Sequence, residues 1–196
     1  MKNAKIGQMA AVALLMGLIV VLQLLSGMIP PVGGFTISLV LIPIVLGAAL
    51  FGAKTGALLG GVFGIIVMVG CITGTDVGGA MVFQASPVLC FLVVLGKGTL
   101  AGLAAGVVYK LLKNKNAYLA MMAAAIICPI VNTGVFVASM FLFFIDVLAA
   151  WAGGGSIVGY VLTGLILANF VPELIINIVF SPAGQRIYQV VQKKNA

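Results

Sequence analysis

The chain has 196 residues, 63% of them hydrophobic and 7% charged, with a mean hydropathy of +1.33 and a formal net charge of +7. A soluble domain is about one quarter charged and leaves roughly a third of its unfolded-chain surface wet, so this composition excludes a soluble enzyme and a nucleic-acid binder. It also excludes disorder, which needs low hydrophobicity, and leaves an all-α membrane protein.

Crossing about 30 Å of hydrocarbon takes roughly 20 apolar residues. Six such spans are predicted: residues 6–25, 36–51, 55–72, 87–111, 118–145 and 157–180. Lys2 and Lys5 precede span 1, whose apolar run is too long for a cleaved signal peptide and lacks a small-residue cleavage site, so it reads as a permanent helix. This span carries Gly7-x3-Ala11 and Ala13-x3-Gly17. The next loop, with Pro30-Pro31, Gly33-Gly34 and Phe35, combines stiffness with hinges and reads as a lid. Spans 2 and 3 join at the tight turn Gly52-Ala53-Lys54.

Gly52, Gly56, Gly60 and Gly64 recur every fourth residue, as do Gly98, Gly102 and Gly106 in span 4, so each set shares one helix face. Such ridges let another backbone approach closely. The first reads as internal packing; the second fits either internal packing or a partner subunit. The loop 73–86 carries Asp76 and Gln84, and the loop 146–156 carries Trp151 and Gly153-Gly154-Gly155. Both read as glycine-rich gates on the same side as the lid.

Charge placement sets the orientation. Lys2, Lys5, Lys54, Lys110, Lys113, Lys115, Arg186, Lys193 and Lys194 all fall on one side of a six-span arrangement, and the opposite loops hold only Asp76 and Asp146. The positive-inside rule then predicts a multi-pass plasma-membrane protein, a single six-helix membrane domain with both termini cytoplasmic.

Two charges lie inside spans: Lys97 in span 4 and Glu173 in span 6. Intramembrane charge costs several kcal/mol and usually marks function. Asn169, Glu173 and Asn177 form an i, i+4, i+8 stripe that Pro172 interrupts, and Asn132 and Thr133 follow Pro129 in span 5. Three helices thus offer polar groups at similar depth, and a binding cavity is expected there. Lys97 and Glu173 read either as a mutual ion pair or as ligand-binding groups, with Lys97 the counter-ion of an anionic substrate. Lys97, Asn132, Thr133, Asn169 and Glu173 are the expected site, with Gln84, Trp151 and Phe35 added from the loops. There is no His, and Cys71, Cys90 and Cys128 lack C-x-x-C spacing and read as packing residues, so no metal site, cofactor or catalytic group is expected. Gly96-Lys97-Gly98-Thr99 has the wrong spacing for a phosphate-binding loop, so any ATPase must be another chain.

The hairpin Ile42-Pro43-Ile44-Val45-Leu46-Gly47 through Phe51-Gly52-Ala53-Lys54-Thr55-Gly56-Ala57, the run Gly96-Lys97-Gly98-Thr99-Leu100-Ala101-Gly102 to Gly106 and Tyr109-Lys110, and Asn169-x3-Glu173 carry a resemblance. Over nearly its whole length the sequence resembles the substrate-binding (S) component of energy-coupling factor (ECF) vitamin transporters. The resemblance implies a vitamin pocket built largely from spans 4 to 6, covered by the loop between spans 1 and 2. It also implies a transmembrane coupling protein and two ATPase subunits as partners, and toppling of the S component to release substrate inwards. Small residues on span 1 form the docking face in that family, which here points to Gly7, Ala11, Ala13 and Gly17 in place of A-x-x-x-A. Lys97 stands where many related sequences have Arg, which keeps the charge but not the bidentate fork. One Trp and four Tyr argue against a large planar vitamin, so a small anionic one is expected: pantothenate first, lipoate or biotin next. The competing functions are a self-sufficient proton-coupled transporter, with Glu173 as proton carrier, and a membrane assembly subunit without a ligand.

Overall fold

A computed structural model describes residues 2–28 and 38–195, with side chains at 6–28 and 38–191. It contains helices α1 (Lys2–Met28), α2 (Leu41–Phe51), α3 (Ala53–Thr73), α4 (Val77–Ala85), α5 (Pro87–Leu112), α6 (Ala117–Phe143), α7 (Ile145–Trp151), α8 (Ile157–Tyr160) and α9 (Val171–Asn195). A π-helical segment, Val161–Phe170, joins α8 to α9, and no strand occurs among the described residues. Five helical stretches are long and apolar enough to cross a membrane: Ile6–Met28, Ala53–Thr73, Pro87–Leu112, Ala117–Phe143 and Ile157–Val191. The shorter apolar α2 accounts for the sixth predicted span.

Span 2 is helical only from Leu41; Ser38 and Leu39 before it are not. Buried non-helical backbone at membrane depth needs hydrogen-bond partners from the protein. Ser38 N–H finds one in Glu173 Oε1 at 2.9 Å, and Leu39 N–H donates to Ser26 Oγ at 3.4 Å. Most of α2 is buried, and it packs against α1, α3, α5, α6 and α9, so this short helix is the axis of the bundle.

The two glycine ridges meet each other. A Cβ built on Gly60 would fall on the carbonyl oxygen of Gly98, and one on Gly98 would fall on that of Gly60. Gly56 and Gly102 oppose each other in the same way, and Gly64 lies against Val94 and Leu95. The helices α3 and α5 therefore run antiparallel with their backbones in contact. This assigns the span 4 ridge to internal packing. Gly52 does not belong to the ridge: it has open space around it and φ of +93°, the conformation that turns α2 into α3.

Two expected loops contain helices. Asp76 caps α4, its Oδ1 accepting from Gly79 N–H at 3.0 Å, after Gly74 in the left-handed conformation. The short α7 packs against α4. Glycine content and short length hid α4, and short length alone hid α7. The π segment ends just before Pro172, and Val171 N–H reaches back five residues to the carbonyl of Ile166. Proline has no N–H to continue the ordinary i−4 ladder, so a widened turn precedes it.

On α1 only Leu15, Ile19 and Ser26 are buried among the side chains described, which places this helix at the margin of the bundle.

Candidate functional site

A partly open cavity lies toward the end of the bundle that carries α4 and α7. Every long element contributes to its wall: Gln23 from α1, Phe63 and Val67 from α3, Lys97 from α5, Asn132, Thr133 and Phe136 from α6, Leu165 and Asn169 from the π segment, and Glu173 from α9. Ser38, ahead of α2, and Asp76, the cap of α4, complete it.

All five residues that the sequence places at membrane depth, Lys97, Asn132, Thr133, Asn169 and Glu173, come together here. Lys97 is half-buried, with its ammonium 4.8 Å from the centre of the Phe136 ring, within cation–π range. Among the described residues no carboxylate oxygen lies within 4.0 Å of it, so Lys97 and Glu173 share the cavity without forming a direct ion pair. Glu173 is 3% exposed; one of its oxygens holds Ser38 N–H, and the other, Oε2, has no hydrogen-bond partner. Gln23 Oε1 and Asn132 Oδ1 are likewise buried and unpartnered.

A buried acceptor without a donor costs about 1–3 kcal/mol. Here three such oxygens converge on one cavity beside one ammonium. The arrangement suits a molecule with hydroxyl or amide N–H donors along its length and an anionic group at one end. The gentle aromatic contribution, Phe63 and Phe136, offers no pair of stacking Trp or Tyr rings.

The remaining expected residues stand elsewhere. Gln84 is exposed on α4. Trp151, on α7, donates its indole N–H to Met81 Sδ at 3.1 Å and packs near the Tyr160 ring, 6.1 Å between centroids, so it ties α7 to α4 and does not line the cavity. Phe35 and most of the proposed lid lie outside the described residues. Asn177 continues the polar stripe in sequence but leaves the cavity. Its Nδ2 donates to the Glu173 carbonyl at 2.8 Å, and it lines a separate small cavity with Ile42, Met121 and Ser181. Gly7, Ala13 and Gly17 are exposed on α1, with Ala11 half-buried, and a Cβ on Gly7 or Gly17 would meet nothing within 4 Å.

Gln23, Ser38 and Asp76 were not among the expected site residues. Gln23 had a signal, since it is a polar side chain within an apolar span, as Asn132 is. Ser38 contributes through its backbone N–H, which no sequence pattern announces.

Residues 7–184 match the family of substrate-specific components of ECF transporters. The chain is also 27% identical over 194 residues to the pantothenic acid transporter PanT of Lactococcus lactis subsp. cremoris (strain MG1363), covering 93% of this chain and 94% of the relative.

Proposed function

The chain belongs to the ECF transporter substrate-specific component family, and on that premise we propose that it binds pantothenate in the polar cavity and delivers it to an ATP-driven coupling module. As a family of transport components it is not catalytic, and its long apolar helices suit a multi-pass membrane location. The observation that carries the ligand reading is the convergence of three unpartnered acceptor oxygens beside the Lys97 ammonium. Pantothenate supplies what each lacks. Its carboxylate suits Lys97, and its hydroxyl and amide donors suit Gln23 Oε1, Asn132 Oδ1 and Glu173 Oε2. Thr133 and Asn169 complete the polar wall. Similarity to a pantothenic acid transporter over nearly the full chain supports the same choice.

The chain works as one six-helix membrane unit. Its basic end, with Lys54, Lys110, Lys113 and Lys115, faces the cytoplasm together with both termini, and the cavity opens outward. The small residues Gly7, Ala11, Ala13 and Gly17 form the face that meets the transmembrane coupling protein, because no described atom lies within 4 Å of a Cβ built on Gly7 or Gly17. ATP hydrolysis belongs to two partner subunits.

The test is a thermal-shift series on the purified protein. Pantothenate is expected to raise the melting temperature by mass action, and lipoate and biotin to do so less. A shift with another vitamin and none with pantothenate would overturn the ligand assignment.

A further inference from the structure

Behind Lys97 lies a second, smaller cavity, and Val67, Asp76, Lys97 and Phe136 line both it and the ligand cavity. Two thiols open onto it: Cys71, near the end of α3, and Cys90, in the first turn of α5. Both are free and buried and line this same cavity, on helices whose backbones touch. The glycine contacts explain this placement. With Gly60 on Gly98 and Gly64 on Val94 and Leu95, the register sets Met68 opposite Cys90 and Cys71 three residues beyond it; helical side chains lean toward their own N-terminus, which in this antiparallel pair tilts the two thiols toward each other. Cys71 also touches α4, since a Cβ on Gly79 would strike its Sγ. Cys128, on α6, lines neither cavity. The binding role described above uses neither Cys71 nor Cys90.

We infer that Cys71 and Cys90 form an oxidisable dithiol whose closure to a disulfide weakens ligand binding. Hydrogen peroxide is the oxidant, small and uncharged enough to enter by the connected cavities. One thiolate attacks a peroxide oxygen; the O–O bond breaks, leaving a sulfenic acid on that sulfur and releasing water once a proton is taken up. The second thiolate then attacks the sulfenic sulfur, forming the S–S bond and expelling hydroxide, which leaves as a second water. The two thiols give up one electron each, and the peroxide takes both.

A disulfide holds its sulfurs about 2.05 Å apart, much closer than non-bonded sulfurs. Closing it draws the end of α3 toward the start of α5. Asp76 follows Cys71 by five residues through the Gly74 turn, and Lys97 lies two turns beyond Cys90 on α5. Both line the ligand cavity, so the contraction displaces two of its walls. Linkage makes the effect mutual: a ligand that favours the reduced geometry disfavours the disulfide at equilibrium by the same factor.

The experiment uses the full chain in detergent, with and without hydrogen peroxide. Thiols are counted by maleimide labelling after denaturation, and the product is mapped by mass spectrometry. Wild type and Cys128→Ser are expected to lose two hydrogens and two countable thiols. Their pantothenate affinity should fall about tenfold, a common size for coupling between sites, and recover with dithiothreitol. Cys71→Ser and Cys90→Ser, checked for folding by their melting temperatures, should show neither change; Cys90→Ala replaces either that fails to fold. Pantothenate added first should slow the loss of thiols. Persistence of both thiols in the folded wild type, or an unchanged affinity after the 71–90 disulfide has been mapped, would overturn the inference. The thiol count needs no ligand, so failure of pantothenate to bind would refute the ligand reading and leave the dithiol to be decided by the count.

Discussion

Glu173 holds Ser38 across 135 positions of sequence, its Oε1 accepting the Ser38 N–H at 2.9 Å. One carboxylate thus serves two elements. It satisfies the unwound backbone that leads into α2, and it presents its other oxygen, Oε2, to the ligand cavity. The backbone that enters α2 is therefore tied to a residue that lines the polar cavity.

Replacing Glu173 tests that double role. Glu173→Ala leaves a buried N–H without an acceptor, an expected stability loss of about 1–3 kcal/mol, read as a lower melting temperature. Glu173→Gln keeps an acceptor for Ser38 and should retain most of the stability while binding ligand more weakly. Equal melting temperatures for Glu173→Ala and wild type would contradict the anchoring role.

Lys97→Ala should weaken pantothenate binding by roughly ten- to a hundredfold, the range for losing a hydrogen bond to a charged group worth about 1.5–3 kcal/mol. Lys97→Arg should lose much less. Titration calorimetry on the purified variants reads this directly. A double substitution of Lys97 and Glu173 should be close to additive in its effect on stability, because no direct ion pair joins them; strong compensation between the two would show that they act as a pair.

Gly60→Ala and Gly98→Ala each place a methyl group on an opposing carbonyl oxygen. Backbone cannot swing away as a side chain can, so the cost should exceed the roughly 1–3 kcal/mol of ordinary overpacking. Poor membrane yield and lowered melting temperature are the expected outcome. Gly52→Ala should also destabilise the fold, for a different reason: φ of +93° is strained for any residue with a Cβ.

Gly7→Ala and Gly17→Ala add a methyl group where no described atom lies within 4 Å. They should leave ligand affinity and melting temperature unchanged and reduce uptake in cells. Uptake should also stop in cells that lack the coupling protein and ATPases. Continued uptake there, driven by an ion gradient, would favour the self-sufficient transporter.

The long helices were legible because apolar runs near 20 residues leave little choice in a membrane. Lys97, Asn132, Thr133, Asn169 and Glu173 were legible for the same reason: polar groups are costly there, and they gather where they can be used. The short α4 and α7 were not, since α4 is glycine-rich and held by a cap, and α7 is only seven residues long and packs on α4. The departure of Asn177 from the cavity was also hidden. Asn177 shares the face of Glu173 but lies one turn further along α9, about 6 Å by the rise per residue, and there it lines a different cavity. Nor could spacing along the chain show that Cys71 and Cys90 line one cavity, because that depends on the register of two glycine ridges in space.

The contact between Trp151 and Met81 has a practical consequence. Trp151 is the chain's single tryptophan, and its indole N–H rests on the Met81 sulfur where α7 meets α4. Ultraviolet emission above the tyrosine band therefore originates from one place, the junction of α7 and α4. The molecule carries its own optical reporter, and a stopped-flow trace of that emission on mixing with vitamin would time a rearrangement at this junction without any attached dye.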